Sequence, residues 1–409
     1  MNPAPANGPL KNIVLLGIGH TNAHLVKQWI SEPIAGCRLI CISKFPTATY
    51  SGMLPGTLGQ QFSDDEMRID LAALAHHAGA DLVIADTQGI DLDAGQLHFC
   101  DHDPISFDVL SIGVGSMPAG WEQHSHSKLL VPIKPMQTFL QRLESHLRDQ
   151  AVNQSPDERD PIRVAVVGGG VASVEIAFCL QQQWQKRRNE REIAIEIFTS
   201  SRHVADGMPM RSVRSIEKLL GQRGITVHRG QRVDALTDTT LHTDDGRSHR
   251  SDCVIWATGA AAPAVLGRLG LQTDERGFIA TSKTLQSLSD ERIFAVGDSG
   301  TVIESPSPKA GVYAVRQCPV LWHNVNALLN QDALHRFEPQ RDFLKLLNTG
   351  DGKAMLQYGW FTAHARWCWR LKTWIDKRFV REYQFHSDFH GRSNTQTTDD
   401  LSEEPLSCR

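Results

Sequence analysis

Short apolar runs alternate with polar or amphipathic stretches along this chain, and two of the runs end in glycine-rich turns. Ile13-Val14-Leu15-Leu16 leads into Gly17-Ile18-Gly19-His20-Thr21-Asn22. Val164-Ala165-Val166-Val167 leads into Gly168-Gly169-Gly170-Val171-Ala172-Ser173. A short continuous apolar run reads as a strand buried on both faces. Each unit therefore reads as strand, tight turn and helix, the first over 11–30 and the second from Ile162. Further runs predict strands at 38–43, 82–85, 96–100, 109–112, 193–198, 225–229, 253–256 and 293–296. Helices are predicted over 70–78, 210–223 and from Lys309 to about Leu329, with a Gly/Pro-rich loop over 47–59.

A glycine turn between a buried strand and a helix aims backbone N–H groups and the positive helix end at a pyrophosphate. One such turn is a weak signal. Two of them, followed by the Gly297-Asp298 element that ends the run 293–296, point to a chain holding two dinucleotides at once. Electron transfer between them is the simplest purpose. The alternation of strands and helices predicts an α/β fold of doubly wound sheets, in two Rossmann-like dinucleotide-binding domains. The polar, proline-bounded stretch 151–161 reads as a linker before the second unit.

Composition narrows the class without changing that picture. A length of 409 residues leaves room for roughly two to three domains. The net charge of -4 argues against nucleic acid as a partner. No apolar run approaches the ~18 residues of a membrane-spanning helix. Residues 1–10 carry Pro3 and Pro5 but no basic residue, and read as a disordered leader rather than a secretory signal. A cytoplasmic location is the expectation. The eight cysteines are scattered without a C-x-x-C pair, so no metal site is expected and most read as small buried thiols.

The stretch 360–385 sets Trp360, Trp367, Trp369 and Trp374 among Arg366, Arg370, Lys372, Lys377, Arg378 and Arg381. On a helical projection Trp367, Leu371, Trp374, Ile375 and Phe379 share one side. Two readings stay open: contact with a membrane surface, or packing on the first dinucleotide-binding domain or across a homodimer. Residues 393–409 are polar and acidic and read as a disordered tail.

Taken in order, the first glycine turn, the Gly168-Gly169-Gly170-x-x-Ser173-x-Glu175 turn, Ala257-Thr258-Gly259 and Ala295-Val296-Gly297-Asp298 resemble the pyridine nucleotide-disulfide oxidoreductase superfamily. The match covers roughly residues 11–330. Within the superfamily the chain is similar to the type II NADH:quinone dehydrogenases. Tyr50–Gly56 and the segment 308–317 look closer still to the flavoprotein domain associated with selenophosphate synthetase.

The resemblance implies FAD bound by 11–150 with 290–335, and NADH or NADPH bound by an inserted domain, 160–289. Residues 336–392 would then form the C-terminal interface or membrane-contact segment, peripheral on the inner face of the membrane. Gly17, Gly19 and His20 would hold the FAD pyrophosphate, and Gly113 would also bind the cofactor. Ser43 would lie near the adenosine ribose, and Tyr50, Ser51 and Met53 would line the flavin cavity. Gly297 and Asp298 would serve the ribityl or phosphate region. Lys309 and Ala310, at the helix start, would face the flavin pyrimidine edge. Gly168, Gly170 and Gly259 would hold the nicotinamide cofactor, with Glu175 near its ring. Glu175 and Lys309 are the candidate catalytic residues.

Several departures from the pattern matter. Asn22 stands where Gly or Ala is usual, so looser helix–strand packing is expected. Neither second strand ends in an acidic residue: Ser43-Lys44 occupies one place and Thr199-Ser200-Ser201-Arg202 the other. Ser200 with Arg202 suits a 2′-phosphate as well as a hydroxyl. No cysteine pair lies in 47–52, so electrons would leave the flavin directly for an external, quinone-like small-molecule acceptor. Gln317 matches one glutamine of the quinone-site pattern. Two alternatives remain: a sulfide/selenide:quinone-type oxidoreductase using Cys318, and a non-catalytic dinucleotide-binding regulator.

Overall fold

The computed structural model describes residues 9–152, 160–187 and 191–385. Of the expected leader only Pro9 and Leu10 fall among these, and the expected tail lies outside them. Two five-stranded parallel sheets organise the chain. The first runs Ile293–Ala295, Val109–Ile112, Lys11–Leu16, Cys37–Ser43, Asp81–Ile84. The second runs Leu130–Pro132, Cys253–Trp256, Ile162–Val167, Ile193–Thr199, Thr226–Arg229. Both glycine turns leave a central strand, at the point where the strand order reverses. That is where open parallel sheets form their binding crevice.

The continuous apolar runs have a simple cause. Side chains alternate faces along a strand, and both faces here are covered. Ile13 and Leu15, with Val164 and Val166, enter one core shared by the two sheets. Val14 and Leu16 enter a second core, and Ala165 and Val167 a third. The third lies under an antiparallel meander, Val233–Leu236, Thr240–Thr243, Ser248–Arg250.

Three expectations change. The stretch 47–59 is not a plain loop: Thr47–Thr49 pairs with Arg68–Asp70, and Leu54–Leu58 is a short helix with Pro55 in its first turn. The supposed linker 151–161 is entered by a helix, Met136–Val152, and its residues 153–159 lie outside the described ones. The long helix spans Gly311–Asn330, so Lys309 precedes it and Ala310 is its N-cap.

The C-terminal part is an antiparallel sheet, Lys345–Asn348, Ala354–Tyr358, Phe361–Ala365, leading into the helix Arg366–Arg381. Among the described residues no helix is long and apolar enough to cross a membrane.

Candidate functional site

The helix His20–Ser31 starts at Gly19 without a side-chain cap and without an acidic residue in its first turn. Its first N–H groups are thus left for another partner. Gly17 has φ +80, and a Cβ there would lie 2.7 Å from Val114 Cα. A Cβ on Gly19 would lie 2.9 Å from the Gly113 carbonyl oxygen. Asn22 corrects the expected looser packing. It is fully buried, donates from Nδ2 to Gly17 O at 2.7 Å and to Ser111 O at 3.1 Å, and accepts from Ser111 Oγ at 2.7 Å. The amide binds the turn to the neighbouring strand where a small residue would only allow close approach. Ser43 donates to Phe45 O at 2.8 Å, bending the chain at the strand end, and Lys44 pairs with Asp86.

A second bare helix start meets the first. Gly311–Asn330 is capped by Ala310 with no side-chain bond and no first-turn acid. Thr21 Oγ1 donates to Ala314 O at 2.9 Å, holding the two helices together. A Cβ on Gly311 would come 3.9 Å from His20 Nε2. That nitrogen is buried and has no hydrogen-bond partner. The His20 ring packs against Tyr50 and Phe379, at centroid distances of 5.3 and 5.6 Å, and those two rings meet at 4.9 Å. Burial pushes its pKa down to about 4, against the pull of Asp298, so the imidazole is neutral near pH 7. A buried ring nitrogen without a partner, facing two uncapped helix starts, fits a polar group of a ligand.

Asp298 accepts from Ser116 Oγ at 2.6 Å, and Lys134 Nζ donates to the same hydroxyl at 2.8 Å. Lys134 lies 3.9 Å from the Asp298 carboxylate. No local sequence pattern links Lys134 to a residue so distant in the chain. Gly297, at φ +59, donates its N–H to Gln317 Oε1 at 2.6 Å. Gln317 is thereby a buried brace of this turn. Lys309 is drawn back from the helix start: its ammonium donates to Gly300 O at 2.5 Å and Thr301 Oγ1 at 2.9 Å, above the Phe278 ring. Burial lowers its pKa to about 8.

Below this junction lies a buried cluster of charged groups that the sequence reading missed in part. The inward face of helix Arg366–Arg381 is Cys368, Lys372, Asp376, Val380, and the side carrying Trp367 and Trp374 faces outward. Trp367 and Trp374 are half-exposed or more, at 50% and 58%. Lys372 pairs with Asp376 at 2.9 Å and donates to Gly52 O at 3.0 Å. Tyr50 donates to Asp376 at 3.2 Å. Glu175 accepts from the Asn348 N–H at 2.7 Å. Burial raises Glu175 to about 7, against the Lys372 charge. For Lys372 burial is outweighed by Glu175 and Asp376, and the ammonium stays charged. The i,i+4 Lys–Asp spacing was a visible signal for this pair. Ser51 is exposed at the loop, while Met53 is buried.

The second turn repeats the first. Helix Val171–Trp184 starts at Gly170 with no side-chain cap and no acid. Gly168 has φ +131, and a Cβ there would overlap the Ala257 carbonyl oxygen. Around Gly170 a Cβ would meet nothing within 4 Å. Glycine at this position is thus not demanded by the protein's own packing. Gly259 is exposed, and its carbonyl accepts from Ala119 N at 2.7 Å. Ser200 and Arg202 line a cavity of about 660 Å³ with His203, Glu217, Arg229 and Gly230. In it Glu217 is already engaged by His203 and Arg229, each at 3.2 Å. Cys318 is buried, and burial pushes its thiol up to about 12.

An α/β chain with two parallel sheets, each opening through a glycine turn onto a bare helix start, has the architecture of proteins that hold two dinucleotides. A family model described as pyridine nucleotide-disulphide oxidoreductase matches residues 11–318, and the chain belongs to that family. The NADH dehydrogenase-like protein YutJ of Bacillus subtilis is 23% identical over 73% of this chain and 79% of its own length. A type II NADH:quinone oxidoreductase of Haemophilus influenzae is 22% identical over 57% of this chain and 59% of its own. The solved sulfide:quinone oxidoreductase of Aquifex aeolicus has the same fold, with a TM-score of 0.74 at 18% identity over 93% of each chain.

Proposed function

We propose that the chain is an FAD-dependent NAD(P)H dehydrogenase that passes electrons to a quinone-like acceptor. FAD would be held by 11–150 with 290–335, and the nicotinamide nucleotide by the inserted unit 160–289. The observation that carries this is the set of three helix starts, at Gly19, Gly170 and Ala310, bare of caps and of acids. Membership of the family and similarity to a type II NADH:quinone oxidoreductase support the chemistry. When bound, the nicotinamide supplies a hydride and the flavin accepts it and releases the electrons to the acceptor.

The protein's residues do the rest. Gly17, Gly19 and the first N–H groups of helix His20–Ser31 would hold one pyrophosphate; Gly168, Gly170 and helix Val171–Trp184 would hold the other. Neutral His20 offers Nε2 to a polar ligand atom. Ser116, set between Asp298 and Lys134, presents a fixed polar group beside the Gly297 turn. The N-terminus at Ala310 supplies positive potential of roughly 0.3–2 kcal/mol toward an anionic partner. Lys309 braces 300–301. Glu175, with a pKa near 7, is suited to give or take a proton at its carboxyl group, while Lys372 and Asp376 set its surroundings.

Strand Ile193–Thr199 ends without a carboxylate, and Arg202 and Arg229 both line the adjoining cavity. Such a pocket accepts a 2′-phosphate, so NADPH is a donor alongside NADH. Arg202→Ala is expected to raise KM for NADPH about tenfold while changing that for NADH little. Equal effects on both would remove this assignment.

The exposed Trp360, Trp367 and Trp374 stand with Arg366, Arg370, Arg378 and Arg381 on the outer face of the C-terminal part. A groove of about 500 Å³ runs between Trp369, Trp374 and Arg378. This face is read as a membrane-surface contact, where a lipid-soluble acceptor is found. The sulfide reading rests on Cys318, which is buried with its thiol pushed up to about 12, so it stands second to the quinone reading.

The deciding experiment loads the protein with FAD and mixes it anaerobically with NADPH or NADH. Loss of the flavin's visible colour, and its return on adding a soluble quinone, is expected. A yellow protein that neither donor bleaches would leave the regulator reading in its place.

A further inference from the structure

A second cluster of reactive side chains sits on the other sheet, away from the junction of helix starts. Glu196, His228 and His249 come from three strands, Ile193–Thr199, Thr226–Arg229 and Ser248–Arg250. Phe198 pairs in register with His228, so Glu196, two residues earlier, lies on the same face. The meander strand Ser248–Arg250 brings His249 onto that face from above. One ligand atom from each residue lies within 4.8 Å of the other two. His228 Nε2 is 2.8 Å from Glu196 Oε2. Phe198 stacks on His228 at 4.3 Å and meets His249 edge-on at 4.9 Å, fixing both rings.

An ion pair between Glu196 and His228 needs no third member. Yet His249 turns its ring toward His228 at 4.6 Å, and its Nε2 is buried with no hydrogen-bond partner. An imidazole nitrogen left without a partner beside two other ligand atoms is a lone pair that can bind a metal. Two imidazoles and one carboxylate are the borderline donors that suit zinc-class ions rather than calcium or magnesium. Neighbouring ligands of a tetrahedral zinc ion lie about 3.3 Å apart, so small side-chain rotations close the set.

We propose that Glu196, His228 and His249 bind one divalent transition-metal ion of the zinc class, with water in the fourth position. The ion clips the antiparallel meander to the edge of the second parallel sheet. It carries no role in electron transfer, and the assignment is independent of the function proposed above.

The test uses the untagged full-length protein, stripped with a chelator and titrated with Zn²⁺ by calorimetry and with Co²⁺ by visible absorption. One tight equivalent is expected, with the intense visible bands of low-symmetry Co²⁺. His249→Gln and Glu196→Gln should each weaken that equivalent roughly tenfold or more while leaving far-UV circular dichroism unchanged. Zn²⁺ should raise Tm in the parent protein and not in His249→Gln. No stoichiometric binding, or binding equally tight in both His249→Gln and Glu196→Gln, would overturn the assignment.

Discussion

Asn22 replaces a small residue with three hydrogen bonds, so its side chain became a fastener between turn and strand. Asn22→Ala leaves a buried hydroxyl and two carbonyls short of partners. A loss of about 2–3 kcal/mol is expected in urea unfolding, with weaker FAD retention. Unchanged stability would show that the amide is replaceable by water. Glu175 makes a pH-dependent contribution of definite sign. Its folded-state pKa of about 7 stands above the ordinary 4.5, so its stabilising share is complete below pH 4.5 and is lost as pH rises through 7. Glu175→Gln resembles the protonated form. Relative to the parent it should gain stability between pH 5 and pH 8, by at most roughly 3 kcal/mol. Parallel unfolding curves across that range would contradict the buried carboxyl.

At the scale of elements, the glycines of the two turns separate packing from ligand access. Gly19→Ala forces a Cβ to 2.9 Å from a carbonyl oxygen and should lower Tm by several degrees. Gly170→Ala meets no neighbour within 4 Å and should leave Tm intact. It should still raise KM for the nicotinamide donor about tenfold or more, because the methyl enters the space before the helix start. A drop in Tm without a change in KM would reverse the assignment. These turns and the strands of both sheets were legible because a strand covered on both faces is written as a continuous apolar run. Helix Met136–Val152 went unread, although Phe139, Leu143 and Leu147 carry a four-residue spacing and are buried. For the C-terminal helix the projection left open which side faces inward. Periodicity locates an apolar stripe, but here a lysine and an aspartate satisfy each other on the inward face and leave two tryptophans outside.

For the whole molecule, the consequence is an outer face where tryptophans and arginines stand together. Protein in which Trp367 and Trp374 are both changed to Ser is expected to lose flotation with anionic liposomes while keeping donor-dependent flavin bleaching. Parent protein staying at the bottom at low salt would remove the membrane contact. The two sheets share one core, so the helix starts at Gly19 and Ala310 are held as parts of one packed body.

What the residue string determined unaided were the turns, the strands and the family, because backbone sterics at glycine and burial on both faces act over a few neighbouring positions. Only the tertiary structure decided that Lys134 meets Asp298 through Ser116, that Lys372 lies inward near Glu175, and that Glu196, His228 and His249 converge. Those meetings depend on how layers dock across the molecule, and docking leaves no periodic mark in any one segment.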